Sequence, residues 1–246
     1  MKRHAILIAS PKLKNHKDLP GTLVDVKNVK QWLLSNQGGA WESEEIKTFT
    51  NPSYDELMPH LKHQVGCDYV FNLFAGHGYM VKVDYSAETV ACLRDGVDLR
   101  VKMLNPGNKR CSIIADCCRG LHVKIPPELV LEESIRAKYA AKAMDDRARY
   151  RALFDKHVVA AEEGALYFYS CGKNQTAADD DDRGGLFTFN FLRAAKEWAS
   201  RQSANATMQI NRTFEAAKAR TTQMEPQQHP EMGAVRRNTF FPFAVT

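Results

Sequence analysis

Two short segments contain the residue types needed for nucleophilic catalysis. The segment Ile113 to Leu121, IIADCCRGL, places two neighbouring cysteines and a carboxylate at the end of an apolar run. The segment FAGHGY, in which His77 lies between two glycines, follows another apolar run. A cysteine attacks as the thiolate, and a nearby imidazole both lowers the pKa of the thiol and protonates a leaving amine. Together the two segments could hydrolyse an amide bond, provided that the fold brings them to one cleft.

The alternation of side chains along a strand distinguishes the two cysteines. Residues 116 and 118 point to one side of an extended segment, and residue 117 points to the other. Cys118 can therefore share a cleft with Asp116, while Cys117 faces the packing layer. The glycines beside His77 allow the backbone to approach a ligand closely, so that amide N–H groups could point at a substrate oxygen.

Short apolar runs alternate with helical periodicity along the whole chain. The apolar runs predicted to be strands are His4–Ser10, Asp68–Phe74, Cys111–Ala115 and Ala165–Ser170, with a weaker strand at Glu45–Thr50 and a closing strand around Thr239–Val245. Helices are predicted from about residue 22 to 37, near 54–65 after a Ser53/Glu56 capping box, from Phe187 to Trp198, and near 207–221. This order favours an α/β sandwich with a mainly parallel sheet, in which loops at the carboxyl ends of the strands carry the chemistry.

Composition and charge limit the classes of function. The 246 residues are 44% apolar and 26% charged, which suits one domain spanning residues 1–246. The net charge of +5 comes from scattered Lys and Arg, and no basic block or aromatic-interleaved stripe predicts nucleic-acid binding. No apolar run approaches the roughly 20 residues needed to cross a bilayer, so we expect no membrane span and a cytoplasmic location. The six cysteines show no CxxC pairs, which favours reduced thiols.

The two reactive segments resemble those of caspase-like cysteine peptidases of clan CD. ADCCRG resembles the caspase nucleophile motif Gln-Ala-Cys-Arg-Gly and is closer still to the Asp-Ser-Cys of metacaspases and orthocaspases, while FAGHG is similar to their Ser-Gly-His-Gly. His77 precedes Cys118 by 41 residues, against roughly 50 in the caspase signature. Further similar segments, in the family's order, are LPGTLVDV near the start, SCGKNQTAAD at 170–179, GGLFTFNFLRA for the last helix and FFPFAV for the last strand.

The resemblance implies a fold, an activity and a set of site residues. The implied fold is the caspase-like α/β/α sandwich with about six strands, and the implied activity is that of a cysteine endopeptidase acting on proteins or peptides. Cys118 would be the nucleophile and His77 the base and then the acid, without a required third member. The backbone N–H groups of Gly78 and Cys118 would form the oxyanion hole. No cofactor is required, although many metacaspases respond to calcium.

Asp116 is the residue from which the resemblance predicts the substrate specificity. Caspases carry Gln at this position and cleave after Asp, whereas metacaspases carry Asp and cleave after Arg or Lys. A half-buried carboxylate favours a cationic side chain and rejects an anionic one. Asp25 would add a second carboxylate to this S1 pocket, so we expect cleavage after Arg or Lys. Thr22 and Ala75 stand where metacaspases carry Cys and Ser in the pocket, and its shape would differ accordingly.

Several residues have a structural interpretation beside the functional one. Thr22 and Asp25 have the spacing of a helix capping box, and this spacing is as consistent with a capping role as with a place in the S1 pocket. Arg119 is more easily explained as a loop-fixing salt bridge than as a substrate ligand. The run 179–182, DDDD, suits a solvated loop before a helix N-terminus, and calcium binding there is the weaker alternative. His60, His63 and Cys67 share a helix face, but a zinc site lacks an evident fourth ligand.

Residues 122–163 form a charged insertion in place of the linker between the caspase subunits. A protease that cleaves after basic residues could process itself here, at Arg136, Lys138, Arg147, Arg149 or Arg151. A helical excursion with a solvated charged face is slightly favoured over self-processing.

Two hypotheses for the function follow. The first is an active protease, plausibly an effector of regulated cell death or defence, as the resemblance suggests. The second is a catalytically silent scaffold with caspase homology that binds partners.

Overall fold

The computed structural model describes residues 1–83, 86–120, 144–234 and 236–246 of the chain. The strands are β1 (Arg3–Ser10), β2 (Ile46–Thr50), β3 (Tyr69–Gly76), β4 (Gly78–Val83), β5 (Ser86–Arg94), β6 (Val97–Arg100), β7 (Arg110–Asp116), β8 (Gly164–Tyr169), β9 (Asp179–Asp180), β10 (Gly184–Gly185), β11 (Thr207–Gln209), β12 (Glu231–Ala234) and β13 (Pro242–Val245). The α-helices are α1 (Gly21–Leu34), α2 (Tyr54–Gln64), α3 (Met144–Ala160), α4 (Leu186–Ala199) and α5 (Ile210–Met224).

The central sheet has six strands in the order β12-β8-β7-β3-β1-β2. Its neighbours pair in parallel, except that β12 runs antiparallel to β8. The predicted α/β class with a mainly parallel sheet of about six strands is therefore confirmed. Because β1, β3, β7 and β8 run in the same direction, the loops that follow them meet at one edge of the sheet.

Two hydrophobic clusters cover the two faces of this sheet. One face packs against α1, α3, α4 and α5, with Trp32, Phe154, Phe191 and Phe214 among its buried side chains. The other face packs against α2 and the strands β5 and β6, with Leu57 among its buried side chains. The first is called the α1/α4 face below and the second the α2/β5 face. Helices or strands thus bury both sides of the sheet, as in other α/β sandwiches.

The two predicted capping boxes have opposite outcomes. Ser53 caps α2 as predicted, since its Oγ accepts from the backbone N–H of Glu56 and the Glu56 side chain accepts from the backbone N–H of Ser53. The Thr22/Asp25 box is wrong, because α1 begins at Gly21 with Pro20 at the N-cap and no side-chain cap. Thr22 lies inside the first turn and donates its hydroxyl to the carbonyl of Leu19.

The predicted closing strand around Thr239–Val245 corresponds to β13, which lies outside the central sheet. β13 pairs antiparallel with β11 in a separate two-stranded sheet, and all four of its residues are buried. The final residue is also held, because the N–H of Thr246 donates to the carbonyl of Ala206. The edge of the central sheet is formed by β12 instead.

A three-stranded antiparallel sheet between residues 78 and 100 was not predicted. It has the order β4-β5-β6 and contacts the carboxyl ends of β1 and β3. The side-chain hydroxyl of Ser10 and the side-chain amide of Asn51 both donate to the carbonyl of Leu93, which ties β5 to the central sheet. This small sheet forms one wall of the cavity described below.

The charged insertion contains α3, and its residues 121–143 lie outside the described residues. The basic side chains of α3 contact the body of the domain: Arg147 donates to the carbonyl of Leu34, and Arg151 forms an ion pair with Glu45. Arg149 donates to the side chain of Asn205. The suggested cleavage sites Arg136 and Lys138 lie outside the described residues.

All six cysteines of the chain are free. No helix in the described part of the chain is both long and apolar enough to cross a bilayer.

Candidate active site

A cavity of about 1000 Å³ lies at the edge of the sheet where β1, β3, β7 and β8 end, and it is called the catalytic cavity below. His77, Gly78 and Cys118 all line it. His77 follows the last residue of β3, and Cys118 comes two residues after the end of β7. β3 and β7 are neighbours in the sheet, which brings the imidazole and the thiol to one cleft, as the sequence predicts.

The imidazole of His77 is held by a backbone carbonyl. Its Nε2 lies 2.8 Å from the carbonyl oxygen of Lys17, in the loop between β1 and α1. A neutral His77 that donates from Nε2 keeps Nδ1 as the free acceptor. Burial lowers the pKa of His77, and the Lys17 carbonyl acts in the opposite direction. The ring of His16 lies beside it, with a centroid distance of 4.8 Å.

The two adjacent cysteines face different surroundings. Cys118 is partly exposed, whereas Cys117 is buried in the cluster on the α2/β5 face. The Sγ of Cys118 accepts from the backbone N–H of Ala177 at 3.4 Å, and no hydrogen bond joins it to His77 among these described groups. Burial is the largest cause that raises the pKa of the Cys118 thiol, which favours the neutral thiol over the thiolate. Cys117 therefore faces the packing layer as predicted, whereas the carboxylate of Asp116 binds the start of α4 and does not line the cavity that Cys118 lines.

Gly78 is packed so closely that no other residue fits. A Cβ at this position would lie 2.7 Å from the Sγ of Cys117 and 2.8 Å from the carbonyl oxygen of Val90. Contacts this short do not occur for real Cβ atoms, so the glycine lets β4 pack directly against the segment that carries the nucleophile. Cys117 thus supports the backbone of the predicted oxyanion hole.

The two carboxylates predicted for the S1 pocket both bind the start of α4. The Oδ2 of Asp116 accepts from the backbone N–H of Thr188 at 3.1 Å and from its hydroxyl at 2.6 Å. The Oδ2 of Asp25 accepts from the backbone N–H of Gly185 at 2.9 Å. Burial raises the pKa of both groups, and for Asp25 the neighbouring charge of Asp116 is the next cause. The carboxylates lie at the positive end of a helix, which stabilises their charged forms.

Asp179 is a third carboxylate of this group, which the sequence analysis assigned to a solvated loop. It lies on the short hairpin of β9 and β10, where a Cβ on Gly21 would lie 2.6 Å from its Oδ1. Burial and then the charge of Asp116 raise the pKa of Asp179 to about 7. Asp25, Asp116 and Asp179 are called the acidic cluster below. The Asp run before two glycines was the only sequence signal for its third member.

The acidic cluster does not line the catalytic cavity in this conformation. Asp25 and Asp116 are only 2% and 6% exposed, and Gly184 and Gly185 of the hairpin lie directly against them. Ala75 is fully buried beside Asp116 in the register of β3 and β7, and Thr22 is 2% exposed. The four predicted S1 residues therefore lie on the α1/α4 side of the sheet edge, with the β9–β10 hairpin over the carboxylates.

Arg119 holds loops together, as the simpler interpretation predicted. Its guanidinium donates to the carbonyl of Cys171 at 2.9 Å, to Glu231 at 2.6 Å and to the hydroxyl of Thr89 at 3.0 Å. It also stacks over the ring of Tyr169 at 4.1 Å. With 3% of its surface exposed, Arg119 fixes the segment after the nucleophile and is not available to a substrate.

The segment 179–182 does not fit a calcium ion in the structure. Asp180 accepts from the backbone N–H groups of Asp182 and Arg183 and pairs with the Arg183 side chain. Within the described ranges, no group of three His, Cys, Asp or Glu side chains could hold a metal ion. Calcium dependence stays a prediction, and no catalytic step below uses a metal.

Comparisons with known proteins agree with this architecture. The family model of the caspase domain matches residues 2–240. The fold is similar to that of caspase-1 from Spodoptera frugiperda, with 14% identity and a TM-score of 0.58 over 94% of this chain and 86% of that one. It is also similar to protein GSU0716 from Geobacter sulfurreducens, with 16% identity and a TM-score of 0.63 over 100% and 99% of the two chains. No curated protein matches the chain.

Proposed function

Because the chain belongs to the caspase domain family, which consists of cysteine peptidases, we propose that it is an active endopeptidase that cleaves after Arg or Lys. The observation that carries this proposal is the common cavity of His77 and Cys118, at the ends of adjacent parallel strands. The buried acidic cluster beside the nucleophile supports the cationic specificity.

The orientation of His77 supports a proton path through Nδ1. With Nε2–H donated to the Lys17 carbonyl, Nδ1 takes the proton of the Cys118 thiol, and the thiolate attacks the substrate carbonyl carbon. The backbone N–H groups of Gly78 and Cys118 stabilise the oxyanion. His77 then gives its proton to the leaving amine as the C–N bond breaks. It next takes a proton from the water that attacks the thioester, and it returns this proton to the Cys118 thiolate as the C–S bond breaks and the carboxylic acid product forms.

The Cys118 thiol must approach His77 before this reaction, since in the part of the chain that the structure describes each side chain is bound to another partner. The Cys118 thiol accepts from the N–H of Ala177 and has a raised pKa, while the pKa of His77 is lowered. Both shifts favour the uncharged thiol and imidazole. We expect the substrate to displace the thiol from Ala177 toward His77, since catalytic hydrogen bonds often form only in the substrate complex.

The charge of the acidic cluster supports Arg or Lys as the residue before the scissile bond. Burial is the largest cause that raises the pKa of Asp25, Asp116 and Asp179, and for Asp25 and Asp179 the charge of Asp116 is the next cause. A guanidinium or ammonium group placed among these carboxylates would stabilise their ionised forms. Access requires the β9–β10 hairpin to move away from the two carboxylates, because its glycines lie against them.

Fluorogenic peptides test this proposal directly. Peptides that end in Arg, Lys or Asp before the fluorophore are compared, with and without calcium, and we expect turnover of the Arg and Lys peptides alone. Asp116→Asn should lower kcat/KM for the Arg peptide at least about 10-fold, the typical contribution of a charge-assisted hydrogen bond. Asp181→Asn is the matched control, since Asp181 is exposed on the same segment. Turnover of the Asp peptide alone would contradict the pocket assignment.

The alternative is a scaffold without activity. The protonated thiol and the departures at Thr22 and Ala75 favour it, and no turnover of any of the three peptides would support it. A role in cell death or defence is part of the proposal only as the resemblance suggests it. The same holds for self-processing, for which the engaged side chains of α3 favour sites outside that helix.

A further inference from the structure

The catalytic cavity extends past His77 on the side opposite to Thr176. The sheet order β8-β7-β3-β1 places the cavity residues in the sequence Thr176, Cys118, His77 and then Leu13–Lys17, each from the loop after its strand. The turn between β5 and β6 also lines this part of the cavity, with Arg94, Asp95, Gly96 and Asp98. The part of the cavity beyond His77 is called the leaving-group groove below.

The acidic cluster and the leaving-group groove lie toward opposite faces of the sheet. Asp25 and Asp116 contact the start of α4 on the α1/α4 face. The β5–β6 wall of the groove belongs to the α2/β5 face. In a bound substrate, the side chain before the scissile bond would therefore point from Cys118 toward the α1/α4 face, and the segment after the scissile bond would run toward the α2/β5 face. His77 lies at the start of the path of that second segment.

Hydrogen bonds hold the walls of the groove in place. The backbone N–H of Lys14 donates to the Asp95 carboxylate, which joins the loop after β1 to the β5–β6 turn. The Ser10 hydroxyl donates to the carbonyl of Leu93 at 2.9 Å, just before that turn. The groove is thus preformed, which lowers the entropy lost when a substrate segment binds.

The positively and negatively charged side chains of the groove differ in whether they already have bonding partners. The side chains of Lys14, Lys17 and Arg94 are exposed and make no ion pair within 4.0 Å to any residue that the structure describes. The two carboxylates already accept hydrogen bonds from the groove's own walls: Asp95 from the N–H of Lys14, and Asp98 from the Tyr79 hydroxyl at 2.8 Å. The cations therefore present the unused hydrogen-bond donors.

We propose that the leaving-group groove binds the segment after the scissile bond and selects Asp or Glu within its first three residues. This inference rests on the proposed peptidase activity, and it assigns Lys14 and Arg94, from the two segments that the hydrogen bond between Lys14 and Asp95 joins, as specificity-determining residues. A basic residue before the scissile bond and an acidic one after it would then define the substrate class. The selection is electrostatic and weakens with salt, because both side chains are exposed.

Quenched fluorescent peptides with one common Arg before the scissile bond test the groove. Glu, Ala or Lys is placed at each of the first three positions after it, and the readout is the ratio of kcat/KM between the Glu and Ala peptides for one enzyme preparation. This ratio does not depend on the fraction of enzyme molecules that are active, because that fraction is the same for both peptides. We expect a ratio of about 2 to 5 at low salt at one position or more, falling toward 1 in 0.5 M salt, as exposed charge contacts do.

The variant Lys14→Glu/Arg94→Glu should reverse the preference, so that the Lys peptide is cleaved faster than the Glu peptide. Lys62→Glu/Arg212→Glu is the matched control with the same change in charge, on exposed positions of α2 and α5. A ratio near 1 in the wild type, or an unchanged ratio in the groove variant, would overturn this inference alone. Absence of cleavage of every Arg peptide would overturn the proposed function and the inference with it.

Discussion

The substitution Gly78→Ala probes the close packing behind the predicted oxyanion hole. The added Cβ would lie 2.7 Å from the Sγ of Cys117 and 2.8 Å from the carbonyl oxygen of Val90, and these atoms belong to a buried side chain and to the backbone. Since neither can yield without moving a strand, the start of β4 must shift. Loss of one oxyanion-hole donor typically lowers kcat by about 10²–10³-fold, or about 3–4 kcal/mol. Overpacking adds a destabilisation of about 1–3 kcal/mol.

Gly120→Ala provides the control for this experiment. Gly120 also lines the catalytic cavity, but a Cβ there would meet no atom within 4 Å. kcat for the Arg peptide is measured for both variants, with thermal unfolding to verify that each is folded at the assay temperature. A Gly78→Ala enzyme that is folded and keeps kcat within about 3-fold of the Gly120→Ala enzyme would refute the role given to this backbone.

Three further predictions concern stability, the loop after the nucleophile and processing. His4 is 4% exposed, and burial lowers its pKa to about 4, so the unfolded state binds more protons than the folded state below pH 6.5. The free energy of unfolding should therefore fall by about 2 kcal/mol from pH 7.5 to pH 5. Urea titrations should show a weaker dependence of this free energy on pH for His4→Leu. Arg119→Met should lower the melting temperature by about 8 °C through about 3 kcal/mol, because it removes three hydrogen bonds worth about 1 kcal/mol each. Glu231→Gln should cost about 1–3 kcal/mol, because it leaves the buried guanidinium of Arg119 without its counter-ion; calorimetry showing no loss for either variant would contradict this. Mass spectrometry of the wild type beside Cys118→Ala should find cuts only in residues 121–143 and only in the wild type; cuts within α3, or an uncut insertion in both, would remove the self-processing proposal.

The periodicity of the sequence predicted most of the central sheet, because long apolar runs such as those of β1 and β3 are typical of strands buried on both faces. The pairing of strands was harder to predict. β13 has the composition of a core strand, yet it pairs with the three-residue β11, and which partner it takes depends on tertiary contacts. The β4–β6 sheet was missed for a similar reason, because its short strands carry mixed polar and apolar residues.

The candidate site was predictable where side-chain identity carries the chemistry. His77, Gly78 and Cys118 were identified from local motifs and strand alternation, and they line one cavity. The carbonyl of Lys17 could not be predicted, because any residue offers the same backbone oxygen. Asp179 was misassigned because its burial depends on a hairpin packing against α1, a contact between segments distant in sequence.

Covalent labelling of the thiol tests whether Cys118, activated by His77, is the nucleophile of a protease with a cationic preference. The probe is a peptide acyloxymethyl ketone that ends in Arg, and the adduct is located by peptide mapping. We expect one adduct, on Cys118, that forms at least about 100-fold more slowly in His77→Ala and does not form with the corresponding Asp probe. An adduct on Cys117 or Cys92, or a labelling rate that does not depend on His77, would contradict it.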